Sequence, residues 1–325
     1  MTPKRSDAVA LEGREAEIER AAATLRAGEL VALPTETVYG LGADATNPKA
    51  VAKIFAAKER PTFNPLISHF ASIAQISAYA ELDDQARLLG EAFWPGPLTL
   101  VLAREPSSDL ADLVTAGLPT MGVRVPAHPL TRAVLSAFGK PVAAPSANPS
   151  GRISPTTADH VRDGLGERVD FILDGGPSSV GLESTILQID ANTVTLLRPG
   201  GISVAEIERV TGAPIRHHND EGIVAPGMMK SHYAPGTPLR LNAIAPNEGE
   251  AFLAFGTATQ GHYTINLSPT GDLVEAAANL FSAFHKLDAL CTENDLEGIA
   301  VAPIPEQGLG LAINDRLARA AAPRS

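Results

Sequence analysis

STILQIDANTVTLLRPGGIS, residues 184–203, decides the fold class. Residues 184–190 and 193–199 are two runs of apolar and β-branched residues separated by a short turn, and they read as a β-hairpin. Ser203 followed three positions later by Glu206 is a capping box, so the chain leaves the hairpin into a helix ending near Val210. A hairpin inside a chain that otherwise alternates helix and strand argues for a mixed sheet, not a purely parallel one.

Upstream the alternation is regular. Residues 14–27 carry Ile18, Ala22 and Leu25 on one helical stripe, with Gly28 just beyond. Residues 30–34 read as a buried strand. Asn47 and Pro48 supply an N-cap and a first-turn proline for a helix to about Ala57, with Val51, Ile54 and Phe55 inward. Strands are expected at 65–70, 98–103, 121–126, 141–146 and 171–176. Helices are expected from Asp83 or Asp84 to Phe93, over 129–138, and from a cap at Thr156 or Thr157 through Val161. The α/β domain so defined covers 10–212. Residues 213–238 lack apolar periodicity and contain Pro214, Pro226, Pro235 and Pro238, so they read as a long linker of the kind that is usually functional or disordered. Strands near 251–256 and 298–303, with helices near 271–290 and 308–321, make residues 239–325 a smaller Rossmann-like α/β unit.

The bulk composition narrows the function. The 325 residues suit about two domains, and 44% are hydrophobic, enough for a sizeable core. Lys plus Arg is 26 against 37 for Asp plus Glu, a formal charge of −11. Proteins whose main affinity is for a phosphate backbone are usually basic, so any anion site must be a local concentration of positive charge. One cysteine, Cys291, rules out an internal disulfide framework and a thiolate zinc cluster. No apolar signal segment and no run of about 18 apolar residues occurs, so a soluble cytoplasmic protein is expected. Neither phosphate-binding glycine motif nor a G-x-S-x-G nucleophile elbow is present.

The informative residues sit in loops beside strands. LPTETVYGLG (33–42) offers Thr35 and Thr37, with Gly40 and Gly42 permitting close backbone approach; the plain alternative is a strand-to-helix turn. KERPTFNPL (58–66) gathers Lys58, Arg60 and Asn64 between two stiffening prolines, and Lys49 and Lys53 lie nearby. It is either a solvated basic turn or a fork for an anion. Arg124 stands between Val123 and Val125 in a short apolar strand, where an arginine needs an anionic partner, either an acid of the chain or a ligand. APSANPSGRISPT (144–156) concentrates Ser146, Asn148, Ser150 and Ser154 before a helix start. Ser184 and Arg198 lie at strand ends, and His69 closes a strand, where a structural role is the ordinary one. In α/β folds such strand-end loops converge on one crevice.

LPTETVYGLG, KERPTFNPLISH, WPGPLTLVL, GVRVPAHP, APSANPSGRISPT, LESTI and LLRPGGIS, in that order, resemble the YrdC/Sua5 family. KSHYAPGTP and the small C-terminal unit resemble its long Sua5 form. The resemblance implies a YrdC-like mixed twisted sheet and an enzyme that makes L-threonylcarbamoyladenylate from L-threonine, bicarbonate and ATP, releasing pyrophosphate. That product feeds the t6A modification of tRNA. The resemblance places Lys58, Arg60, Asn64, Thr120, Ser146, Ser154, Arg198 and Tyr233 against ATP, and Thr37, His69, Arg124, Ala144 (through its backbone) and Ser184 against L-threonine. It implies no covalent nucleophile, Mg2+ accompanying ATP, a linker that closes over the site, and delivery of the product to a tRNA threonylcarbamoyl transferase without stable nucleic-acid or membrane binding. Rival readings are an RNA-binding module, a carbamoyladenylate-forming enzyme using carbamoyl phosphate, and a nucleotide sensor without turnover.

Overall fold

The computed structural model describes residues 11–190, 193–218, 225–257 and 261–323. Its larger sheet contains β1 (Val31–Leu33), β2 (Gly40–Asp44), β3 (Ile67–His69), β4 (Leu98–Ala103), β5 (Thr120–Arg124), β6 (Val142–Ala143), β7 (Phe171–Ile172), β8 (Thr185–Asp190), β9 (Thr193–Arg198) and β10 (Arg216–His217). Their spatial order is β10-β9-β8-β4-β5-β3-β6-β2-β1-β7. The hairpin is β8 with β9, antiparallel, with Leu187 opposite Leu196. β4 runs parallel to β8 and antiparallel to β5, so the sheet is mixed. β3 lies between β5, parallel, and β6, antiparallel. That register sets His69 directly between Arg124 and Val142.

The helices follow their sequence signals. Glu15–Arg26 buries Ala21, Ala22 and Leu25, which pack with Leu130, Val134, Leu135 and Phe138 of the helix Pro129–Phe138. Asn47 caps Pro48–Lys58 by accepting from the backbone N–H of Lys49 and Ala50. Thr157, not Thr156, caps the next helix, which continues to Leu165. Ser203 and Glu206 form the full capping box on Val204–Thr211.

The alternative reading of 33–42 as a plain strand-to-helix turn does not hold, because its second half enters a strand. Residues 40–44 form β2, antiparallel to β1, with Gly42 opposite Val31 and Gly40 opposite Leu33. Glycine is a poor strand former, so the local signal is silent. Packing demands it: a Cβ on Gly42 would stand 2.9 Å from a Val142 methyl and 3.1 Å from Leu33. Close approach of neighbouring strands overrides propensity here. The short strands β10, Leu239–Arg240 (β11) and Thr264–Asn266 (β13) also carry no readable alternation, because two or three residues do not define a period. β10 falls inside the expected linker, pairing Arg216 with Thr195. Residues 219–224 of that linker lie outside the described residues.

The smaller sheet is parallel, in the order β11-β14-β12-β13, with β12 at Glu250–Ala254 and β14 at Gly298–Val301. The helix Leu273–Glu293 covers it, burying Ala277, Leu280, Phe281 and Phe284. Its core is continuous with the larger unit, because Val38, Ile153, Leu182 and Tyr233 belong to the same apolar cluster. Gly181 (φ +71°) marks a close approach of the two units: a Cβ there would lie 2.5 Å from the backbone of Ala278. Gly181→Ala adds overpacking and left-handed backbone strain, an expected loss of about 2–5 kcal/mol in stability. Denaturant unfolding of the variant beside the wild type measures it, and equal midpoints would refute the close packing of the two units.

Candidate active site

The central strands end in one cleft. Its wall comprises Thr35, Thr37, Val38 and Gly40 after β1, Arg60 after the helix Pro48–Lys58, and Ile67 and His69 of β3. Arg124 at the end of β5, Ala144–Ser146 after β6, Glu183 and Ser184 before β8, and Arg198 at the end of β9 complete it. Pro226, Gly227, His232 and Tyr233 of the linker lie across its mouth. Mixed pairing brings this about: β3, β5 and β9 all deliver their last residue to the same side.

One half of the cleft is organised by Arg124. Its Nη2 donates to Glu36 Oε1 at 2.6 Å and to Thr37 Oγ1 at 2.9 Å, and its Nε donates to the Gly96 carbonyl at 3.3 Å. The acid the sequence left unnamed is therefore Glu36, itself buried, whose second oxygen accepts from Ala127 N–H. Among the described residues Nη1 makes no protein hydrogen bond. Thr35 Oγ1 lies 2.8 Å from Thr37 Oγ1 and donates to Val38 O, so Thr35 holds the loop while Thr37 reaches Arg124. His69 lies beside them. Burial first, then the adjacent Arg124 charge, lowers its pKa to about 3, so it is neutral near pH 7. Ser184 Oγ hydrogen-bonds Thr99 Oγ1 at 2.7 Å and accepts from Arg198 at 3.2 Å.

The other half is cationic. Arg60 is buried, and its Nε and Nη2 donate to the carbonyls of Asn64 and Pro65, closing the 60–65 loop on itself. Burial brings its pKa down to about 10, with a contribution from Arg198. Arg198 donates Nε and Nη2 to the Ser184 carbonyl and Nη1 to the Pro226 carbonyl of the linker. Arg60 and Arg198 thus gather positive charge that the neighbouring carboxylates do not fully balance, in a chain that is acidic overall. A multiply charged anion is the complement of such a wall.

Not every expected residue reaches this wall. Lys58 is fully buried behind it, with Nζ donating to the Ser146 carbonyl at 2.5 Å and to the Asn148 carbonyl. Desolvation, then the Arg60 charge, holds its pKa well below the ordinary lysine value. The lysine shapes the 146–148 turn that carries Ser146. Asn64 is buried, its Oδ1 without a partner and its Nδ2 donating to Met229 Sδ in the linker. Ser154 donates to Glu183 Oε1 at 2.5 Å. Thr120 begins β5, at the opposite end of that strand from Arg124 and roughly 13 Å along it. Lys58, Asn64 and Ser154 therefore flank the cleft, while Thr120 sits at the far end of β5 and the structure does not bring it to the wall.

Sequence reasoning passed over Glu36, Thr99, Glu183, His232 and Arg316. Glu36 and Glu183 left a trace, each a lone acid inside a motif of apolar and hydroxyl residues. Arg316 left none, because it reads as one more charged residue on an amphipathic helix. Tyr233 is buried, holds a left-handed backbone (φ +64°), and its hydroxyl lacks a partner. His232 packs on it with ring centroids 4.1 Å apart, and its Nδ1 is likewise buried and unpartnered. A donor and acceptor set left open under a closed strap is what a polar ligand would satisfy. Among the described residues no cluster of three or more His, Cys, Asp or Glu is placed to hold a metal ion.

Comparison with known proteins bears on these observations. Residues 23–200 match the family model Sua5_yciO_yrdC, described as telomere recombination, and residues 202–322 match Sua5_C, the threonylcarbamoyl-AMP synthase C-terminal domain. The threonylcarbamoyl-AMP synthase of Bacillus subtilis is 41% identical over 97% of this chain and 95% of its own length. That of Pyrococcus abyssi is 40% identical over 94% of each. The crystal structure of P. abyssi Sua5 complexed with L-threonine superposes with a TM-score of 0.86 at 37% identity, covering 94% of both chains. E. coli YciO, 24% identical with a TM-score of 0.52, shares the fold of the larger unit.

Five buried or partly buried histidines, two of them in the cleft, carry a pH signature. Burial lowers the pKa of His69 and of His232 to about 3, and those of His128, His160 and His285 move the same way. The unfolded chain takes up these protons near pH 6.5, before the folded one does. Stability is therefore complete above pH 6.5 and declines as pH falls toward 3, by at most about 1.4 kcal/mol per unit for each histidine. Unfolding free energies measured at pH 7.5 and 5.0 should show the loss, with a shallower slope in His232→Gln. Equal values at the two pH values would contradict neutral burial.

Proposed function

The chain belongs to the Sua5/YciO/YrdC family in its two-domain form, and we propose that it synthesises L-threonylcarbamoyladenylate from L-threonine, bicarbonate and ATP with release of pyrophosphate. One observation carries the reading: a single guanidinium-and-hydroxyl pocket, Arg124 with Thr37 and Ser184, opens directly onto the cationic wall of Arg60 and Arg198 under one strap. An amino acid and a triphosphate are the pair such a double site takes.

The chemistry follows from the placement. Arg124, oriented by Glu36, has Nη1 left for the amino-acid carboxylate. The hydroxyls of Thr37 and Ser184, with the neutral His69, supply the hydrogen bonds by which a site rejects an amino acid lacking the side-chain hydroxyl. The threonine amine attacks the carbon of CO2, formed from bicarbonate by uptake of a proton and loss of water, or of bicarbonate itself with loss of water. The N–C bond forms, the amine gives up a proton to solvent, and a carbamate results. A carbamate oxygen then attacks the α-phosphorus, and the bond to the bridging oxygen breaks as pyrophosphate departs. No covalent enzyme intermediate is needed, so the demand is positioning and charge neutralisation. Arg60 lies where it would offset charge on the leaving pyrophosphate. The backbone at Ala144 and the Ser146 side chain, held in place by Lys58, line the path between the two halves. Carbamates and mixed anhydrides hydrolyse readily, and Tyr233 and His232, both buried, keep water from them.

The donor set does not fit a protein-held magnesium ion. Glu183, the one carboxylate on the described wall, is occupied by Ser154 and Arg316. Magnesium belongs with the triphosphate, as part of the substrate. The product's reactive anhydride calls for a downstream transferase that moves the threonylcarbamoyl group to tRNA. Among the described residues no helix is long and apolar enough to cross a membrane.

Pyrophosphate release tests the reading. It should require both L-threonine and bicarbonate, L-valine should not replace L-threonine, and Arg60→Ala should lower the rate about 10²-fold or more. Release that ignores L-threonine would reject the synthase, and nucleotide binding without release would mark a sensor.

A further inference from the structure

We propose that Arg316, from the C-terminal domain, is a positioning residue for the active site: it holds Glu183 and the Tyr233 strap in their working geometry, so that closure of the cleft depends on docking of the second domain. This inference rests on the synthase reading given above.

Arg316 lies on the helix Gly310–Ala321 and is wholly excluded from water. Its Nε donates to Glu183 Oε2 at 2.8 Å, and its Nη1 donates to the Pro199 carbonyl at 2.8 Å and to Asp315 at 2.9 Å. Its guanidinium carbon stands 5.2 Å from the centre of the Tyr233 ring, a cation–π arrangement. One side chain thus touches the loop before β8, the loop after β9, and the strap. The other Glu183 oxygen accepts from Ser154, so the contact extends to a residue that the family resemblance sets against the nucleotide.

The neighbouring residues of the same helix reinforce the grip. Asp315 also accepts from Arg319 Nε, and Arg319 Nη1 donates to the Met229 carbonyl of the strap at 2.6 Å. The Arg319 carbonyl accepts from His232 N–H at 3.2 Å. The strap is therefore held through Met229, His232 and Tyr233 by one helix face. Without Arg316, Glu183 would be a buried carboxylate facing Ser154 and the already engaged Arg198. Arg316 Nη2, buried and unpartnered, is the remaining donor of the fork.

The full-length chain carries the test. Arg316→Gln, Arg316→Lys and Glu183→Gln are compared with wild type by pyrophosphate release and by hydrogen exchange over residues 225–238. Arg316→Gln should lower kcat at least tenfold, leave KM for L-threonine within about twofold, and speed exchange of the strap at least tenfold while the helix 273–293 stays protected. Arg316→Lys, which keeps a charge but not the fork, should recover part of both. An Arg316→Gln variant with wild-type kcat and strap exchange overturns the inference, as does a loss of activity matched by equal loss of protection in helix 273–293. Should Arg316→Gln fail to fold, Glu183→Gln must loosen the strap in the same way, and an unaltered strap there overturns it. If wild type itself lacks threonine-dependent release, the synthase reading fails, while strap exchange still decides the role of Arg316.

Discussion

Five cationic side chains, Lys58, Arg60, Arg124, Arg198 and Arg316, are buried among the described residues, and the rest of the site is arranged around keeping each of them satisfied. An unpaired buried charge costs several kcal/mol, and removing one partner of a buried pair typically costs about 3–5 kcal/mol. The protein meets the constraint mostly with backbone carbonyls, which neutralise less charge than carboxylates do. Lys58 takes those of Ser146 and Asn148, Arg60 those of Asn64 and Pro65, and Arg198 those of Ser184 and Pro226. Only Arg124 and Arg316 have buried carboxylates, in Glu36 and Glu183. The cleft therefore has its donors fixed in direction yet keeps positive potential for an anionic substrate.

The same hydrogen bonds determine the local folds. The 60–65 loop closes because its own arginine binds its carbonyls, and the 146–148 turn stands where Lys58 holds it. Pro226 is drawn over the cleft by Arg198. Preorganisation of this kind is what a reaction without a covalent intermediate requires, because positioning and charge are all the enzyme contributes. It also explains why Lys58 does not itself line the wall: its ammonium is consumed in building the turn.

The second domain is joined to the first by an apolar cluster, by the buried Arg316 guanidinium and by His285, whose ring stacks on His160 with centroids 3.8 Å apart and whose Nε2 lies 3.3 Å from the Ser154 carbonyl. Leu182 and Val38 of the first domain, Tyr233 of the strap and Phe281 of the second share one core. Tyr233 keeps a left-handed backbone and an unpartnered hydroxyl at the centre of it. Strain and an open hydrogen-bonding group persist at such a position only when packing on all sides enforces them. The strap is thus both a structural joint and one wall of the cleft.

Much of this was legible in the sequence. Periodicity and caps located the long helices, because Asn47, Ser203 and Glu206 act within one turn of themselves. The hairpin at 184–199 announced a mixed sheet, and the ordered motifs announced the family and the cleft residues Thr37, Arg60, Arg124, Ser184 and Arg198. What was not legible depends on distance through space. Gly42 sits in a strand that approaches Leu33 and Val142 too closely for a side chain, and Gly40 faces Ala144 in a tight contact. Arg124 selects Glu36, 88 positions away, and Arg316 reaches Glu183 across 133. Sequence by itself determined which residue types stand at the strand ends, since local patterns govern secondary structure. Tertiary structure alone decided which cations face the cleft and which are used up behind it, because burial and hydrogen-bond partners are set by neighbours the chain brings together only on folding.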